Sequence, residues 1–109
     1  MASLTPKLLY SGNDTGANAY SVSNTSGNYT IIKSINICNT SGSDKTCSLH
    51  ILQDANAAAA NNKVLSNVTV SANNVLYYNT SLVMPANSKI YVSQSTSDLT
   101  FTISGVEYA

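Results

Sequence analysis

The sequence predicts an all-β chain, an antiparallel β-sandwich or jelly roll of about eight short strands. Three observations predict it. Apolar residues recur at every second position in several short runs, the period at which an extended chain returns side chains to one face. Clusters of Gly, Asn, Asp, Ser and Thr interrupt these runs about every eight to twelve residues. No stretch carries a convincing helical spacing of apolar residues.

The elements follow in order. Residues 1–6, with Pro6 among small polar neighbours, read as an N-terminal arm, and 7–109 as one sandwich domain. Lys7-Leu-Leu-Tyr10 is a short strand, and the turn formers of 11–17 make a loop. Ala19-Tyr-Ser-Val22 is a second short strand, and 23–28 is a turn. The run Tyr29-Thr-Ile-Ile-Lys-Ser-Ile-Asn-Ile-Cys-Asn39 is the densest alternation, and Ile31, Ile35 and Ile37 share the core parity. After the turn at 39–45, Cys47, Leu49 and Ile51 alternate in 46–52, so the two runs are expected to pair as a hairpin.

Asp54 can cap a helix over the alanines at 57–60, but so short a helix is marginal, and a loop with one turn is expected. A strand at 64–70 puts Val68 and Val70 on one face. The strand at 75–83 is apolar on both faces at its start and has no clean core side. Pro85-Ala-Asn-Ser88 is a turn with proline suited to its second position. Ile90 and Val92 are in phase in 89–93. The last run, 99–108, holds Leu99, Phe101 and Ile103 in one phase and Val106 and Tyr108 in the other. Gly105 sits at the slip, which predicts a β-bulge there.

Composition narrows function. Only 9% of the 109 residues are charged, and five Lys balance five acids to a formal net charge of zero. That excludes the basic footprint a nucleic-acid or acidic-membrane partner needs. Ser, Thr and Asn make roughly two residues in five, a polar but uncharged surface that lets copies pack closely. No apolar run approaches the ~20 residues of a membrane-spanning helix. The N-terminus lacks a basic region followed by an apolar run, which reads as a chain made in the cytosol or one that has lost its leader.

Residues able to carry chemistry are few. Pairing 29–39 with 46–52 so that both apolar rows share a face puts Cys38 and Cys47 on opposite faces, so a disulfide is not expected. His50 falls on the other parity from the core row and reads as a surface histidine. Asp14, Asp44, Asp54, Asp98 and Glu107 are scattered over turns and strand ends. No nucleophile elbow, Gly-rich phosphate loop or Cys-x-x-Cys spacing occurs, so no catalytic residue, metal or cofactor is assigned. Six Asn-x-Ser/Thr triplets, beginning at Asn13, Asn24, Asn28, Asn39, Asn67 and Asn79, are expected by chance in this composition. Seven tyrosines carry nearly all the aromatic mass, and tyrosine suits interfaces. Tyr77 and Tyr78 are adjacent in a strand, so one faces outward, and Tyr108 lies at the C-terminus. These three are the candidate interface residues.

Two stretches carry a resemblance: Ile31-Ile-Lys-Ser-Ile-Asn-Ile-Cys-Asn-Thr-Ser-Gly42 with the strand through Leu49 and Ile51, and the closing Phe101-Thr-Ile-Ser-Gly-Val-Glu-Tyr108. Between them lie Leu82-Val-Met-Pro-Ala-Asn87 and Ile90-Tyr-Val92. In this order they resemble the small β-sandwich structural proteins of tailed bacteriophages, from about Tyr29 onward. The resemblance implies a non-enzymatic virion protein, assembled in the host cytoplasm, that decorates capsids or sits on tails and fibres. Its expected partners are other copies of itself, as a trimer or a higher ring, and a major capsid or tail protein. A carbohydrate-binding host-attachment module is the reading from a different class.

Overall fold

A computed structural model describes residues 3–23, 25–53 and 57–109. Among the described residues there are eight strands: β1 Leu4–Gly12, β2 Gly16–Ser21, β3 Tyr29–Asn39, β4 Lys45–Gln53, β5 Lys63–Val70, β6 Val75–Pro85, β7 Ser88–Gln94 and β8 Leu99–Tyr108. They form two four-stranded sheets, ordered β1-β8-β3-β6 and β2-β7-β4-β5, with every pair antiparallel. The pairs are nested: β4 with β5, β3 with β6, β2 with β7 and β1 with β8. This is one long four-ply hairpin rolled over on itself, and β3–β8 and β4–β7 pairing closes each sheet. The architecture is a jelly roll.

The hairpin expected between β3 and β4 is not formed, because the two strands lie in different sheets. Alternation tells which side of a strand is greasy, not which strand lies beside it. The crossing loop is held by Asn39, which is buried. Its Nδ2 donates to the Ser43 and Val70 carbonyls at 2.9 Å each, and its Oδ1 accepts from the Ser41 amide and hydroxyl. Cys38 and Cys47 are both free thiols. Cys38 is half-buried on the outer side of one sheet, and Cys47 faces the core from the other. Burial pushes the Cys47 thiol up to about 11.

The expected arm is also revised. From Leu4 the chain already belongs to β1, with Leu4, Thr5 and Pro6 opposite Tyr108, Glu107 and Val106. Ala60–Asn62 is a single 3-10 turn, while the proposed cap at Asp54 lies outside the described residues. Pro85 is the last residue of β6 rather than the second position of a turn. The bend falls on Ala86 and Asn87, and Asn87 takes φ 64, which asparagine tolerates better than most residues.

The core lies between the sheets. Ile35, Ile37, Phe101 and Ile103 come from the first sheet and Leu49, Ile90 and Val92 from the second, all essentially inaccessible. Each such side chain contributes about 1.5–3 kcal/mol on burial. One expected core residue is displaced. Ile32, not Ile31, joins Ile35 and Ile37 inside, because Lys33 is an extra residue between Ile32 and Ser34 where β8 has none. A matching irregularity occurs in β1, where Leu9 is the extra residue between Leu8 and Tyr10.

The phase slip seen around Gly105 therefore belongs to its neighbours. In β8 itself Phe101, Ile103 and Gly105 are all buried on the same parity. Gly105 is needed for a different reason. A Cβ there would collide with the Ile31 carbonyl oxygen, a backbone atom that cannot swing aside. Gly105→Ala is expected to destabilise the fold by about 2–4 kcal/mol in urea unfolding, with Ser104→Ala as the mild comparison.

Candidate interaction face

The bulges at Leu9 and Lys33 decide what the first sheet shows to solvent. Beyond them, toward the β1 start and the β8 end, two consecutive outward rows are wholly apolar across all four strands. The first row is Leu4–Tyr108–Tyr29–Pro85 and the second is Pro6–Val106–Ile31–Val83. Leu8 continues the β1 side. Leu4, Leu8 and Val83 are 58%, 57% and 62% exposed, which places them among the most accessible large apolar side chains described. Tyr29 and Tyr108 stack at 4.9 Å between ring centroids, 15° from parallel, so the middle of the first row is rigid. From ordinary strand spacings, the patch covers about 300 Å², the size at which an apolar patch on a monomer is often functional.

On the other side of the bulges the same face is mixed: Ser, Thr and Asn predominate, but Val75 and Tyr77 are also exposed there. Its rows are Leu8–Ser104–Ser34–Asn79, Ser11–Thr102–Asn36–Tyr77 and Thr100–Cys38–Val75. The Ser34 and Ser104 hydroxyls share a hydrogen bond of 2.5 Å at the boundary. Lys33 is the one charged side chain on this face among the described residues, and its Nζ donates to Ser81 Oγ at 2.8 Å.

The inner side of the apolar half is tied to the opposite sheet. Tyr20 of β2 donates its hydroxyl to Glu107 Oε2 at 2.5 Å. With that one proton committed, the 2.9 Å contact to Thr30 must be a bond donated by Thr30 Oγ1. The Lys7 ammonium lies 3.3 Å from Glu107 and 5.8 Å from the Tyr20 ring centre. The Tyr20 hydrogen bond, followed by Lys7, holds the Glu107 carboxyl below its ordinary value, against a partial opposing effect of burial. Burial, followed by the Glu107 hydrogen bond, pushes the Tyr20 phenol up to about 12.

The three tyrosines singled out in the sequence are not brought together. Tyr108 lies in the apolar half. Tyr77 is on the same outer face but in its polar half, 57% exposed beside Asn36. Tyr78 is half-buried and turned inward. With Ile35, Leu65 and Leu82 it lines a cleft of about 330 Å³ at the open β5/β6 margin. A larger hollow of about 540 Å³ lies at the margin of the other sheet, lined by residues that include Ile51, Ala57 and Asn62. Leu4, Pro6, Leu8, Tyr29, Ile31, Val83, Pro85 and Val106 were not among the interface candidates. The alternation of Leu4, Pro6 and Leu8 was a usable signal, hidden by reading 1–6 as an arm.

His50 is not a surface residue. It points away from the core, as its parity required, but it is only 4% exposed. Its Nδ1–H donates to Asn62 Oδ1 at 2.6 Å, and the Tyr91 ring meets it edge-on at 5.7 Å. Asn62 is fixed in turn, accepting from the Ala59 amide and donating to the Ala57 carbonyl. This arrangement pins the 57–62 stretch over the second sheet. Asp14 accepts from Tyr10, and Asp98 pairs with Lys45 at 3.2 Å. Asp44 accepts from the Ala72 amide, whereas Asp54 lies outside the described residues. Among the described residues, no group of three or more His, Cys, Asp and Glu could hold a metal ion. No described helix is long and apolar enough to cross a membrane.

Comparison with protein-family models, with curated protein sequences and with solved structures finds no match to this chain.

Tyr20→Phe removes the cross-sheet tie and strands the buried Thr30 hydroxyl. The expected cost is about 1–3 kcal/mol in urea unfolding at pH 7. Because Glu107's folded value is lowered, its stabilisation is present above its ordinary 4.5 and is lost as pH falls through the folded value. Tyr20→Phe should flatten that acid loss. It should also remove the alkaline loss expected as pH rises from 10.0 toward about 12 in the parent chain.

Proposed function

We propose that this chain is a virion structural protein, a decoration protein on the capsid of a tailed bacteriophage, that works through protein–protein contacts. The observation that carries the reading is the apolar half-face of the first sheet. Eight outward apolar side chains in two adjoining rows, with a more polar half beside them whose one charge among the described residues is Lys33, resemble an interface core with its rim. A surface so poor in charge supports dense packing beside a shell protein and beside other copies. The jelly roll is an architecture that viral capsid and lectin domains share, which supports the reading by fold analogy only. On this reading the partners are other copies and a major capsid protein, the location is the virion, and the chain has no catalytic role. A tail or fibre component would use the same surface in the same way.

One observation favours a second reading. Tyr77 is an exposed ring flanked by Asn36 and, beyond it, Thr102, the mixture of stacking surface and hydrogen-bonding groups that a sugar-binding module needs.

Cryo-electron microscopy of particles made with and without the chain tests the proposal. The expected result is small added density on the outside of the shell, at a fixed ratio to the main shell protein. Particles that never carry the chain overturn it. Glycan-array binding abolished by Tyr77→Ala would instead establish the second reading.

A further inference from the structure

We infer that the outer face of the first sheet is a two-fold interface between two copies of this chain, stacked sheet on sheet. The inference rests on reading this face as an interface but not on the virion setting.

The arrangement of the apolar half points to a second copy as the occupant. Both lateral margins of the patch are apolar: Leu4, Pro6 and Leu8 along β1, and Val83 and Pro85 along β6. Consider a two-fold axis that lies between the copies, parallel to the strands and above the β8–β3 seam. It carries β1 of one copy over β6 of the other and β8 over β3. Strand ends stay at the same end under this rotation. The two apolar rows therefore meet their own copies, and so do the mixed rows, where Leu8, Tyr77, Cys38 and Val75 stand among Ser, Thr and Asn. The stacked Tyr29–Tyr108 pair falls on the axis, where a rigid aromatic pair contributes most to an interface core.

Charge and area agree with that occupant. Lys33, the single charge on the face among the described residues, leans toward Ser81 on β6 and so away from the axis. Two copies thus keep their like charges apart, and the formal net charge of zero adds no long-range repulsion. From strand spacings, the whole face measures about 34 by 19 Å, roughly 650 Å² per copy, near the ~800 Å² a partner contributes to a standard interface. Two twisted sheets of this kind pack about 10 Å apart with their strands about 30° from parallel. A single flat face of this sort suits an isologous pair, whereas a three-fold ring needs two different surfaces that fit each other.

Sedimentation equilibrium of the full chain tests this. The wild type is expected to weigh twice 11.5 kDa at ~100 µM. Val83→Lys and Leu8→Lys each bury an unpaired charge in the interface and should raise the dimer dissociation constant at least about 100-fold. Thr46→Lys, on the other sheet, should leave it unchanged. A cooperative thermal melt checks that each variant is folded. Concentration-dependent NMR shifts of the wild type, centred on the two apolar rows, give the same answer without a substitution. A wild-type monomer at that concentration, any other stoichiometry, or a dimer indifferent to both lysines overturns the inference. A dimer that never binds a virion would remove the virion reading and leave this one standing; a monomer that decorates shells would do the reverse.

Discussion

The close approach of β3 and β8 at Gly105 is the constraint on which the rest of the first sheet depends. There the backbone of Ile31 and Ile32 comes so near that no side chain fits. At the same level both neighbours of β8 take in one extra residue, Leu9 in β1 and Lys33 in β3. An extra residue in a strand of period two exchanges its faces. Beyond that level, Leu8, Pro6, Leu4, Ile31 and Tyr29 therefore look outward, while β8 and β6 keep their own alternation and contribute Val106, Tyr108, Val83 and Pro85. Without the two extra residues, this part of β1 and β3 would turn its apolar side chains inward, and the outer surface would be a patchwork.

Cohesion in so weakly charged a chain comes from amides and hydroxyls placed where the roll must be fastened. Asn39 holds the crossing from β3 to β4. Gln94 is buried where β1 passes to β2 and β7 to β8, and its Nε2 donates to the Asn13, Asp14 and Leu99 carbonyls while its Oε1 accepts from the Leu99 amide. Tyr20 joins the sheets beneath the apolar rows. Each satisfies backbone or hydroxyl groups that would otherwise be buried without partners, which costs about 1–3 kcal/mol per group. The same device leaves the outer face of the first sheet with a single charge among the described residues, Lys33, which is already hydrogen-bonded to Ser81.

Much of this was legible in the sequence. The runs at 29–39 and 99–108 match β3 and β8 residue for residue, because period two and turn chemistry are local signals. All eight strands were foreseen, and most boundaries were wrong by only a few residues. What local signals do not carry is partnership. The β3–β4 hairpin was expected because those runs are adjacent, whereas the roll pairs β3 with β6 and β8, far along the chain. The bulges were half legible: the phase slip near Gly105 was seen but assigned to the wrong strand, and two adjacent isoleucines at 31 and 32 give either parity an apolar residue. Of the candidate site, Tyr108 was found from its residue type, while Leu4 and Pro6 were assigned to an arm although 4–6 begin β1. Burial of His50 depends on Asn62, twelve residues away, and no local pattern reports it.

The apolar face thus depends on which way one short segment of β3 points, and that can be measured on the dilute, unassociated chain. The direct comparison is the unfolding free energy of Ile31→Ser against Ile32→Ser. Ile32 is inaccessible in the core, so its replacement should cost about 3–5 kcal/mol, while Ile31→Ser should stay within about 1 kcal/mol of the parent. If Ile31→Ser is instead the more damaging change, β3 alternates without interruption, Ile31 belongs to the core, and the apolar face does not exist.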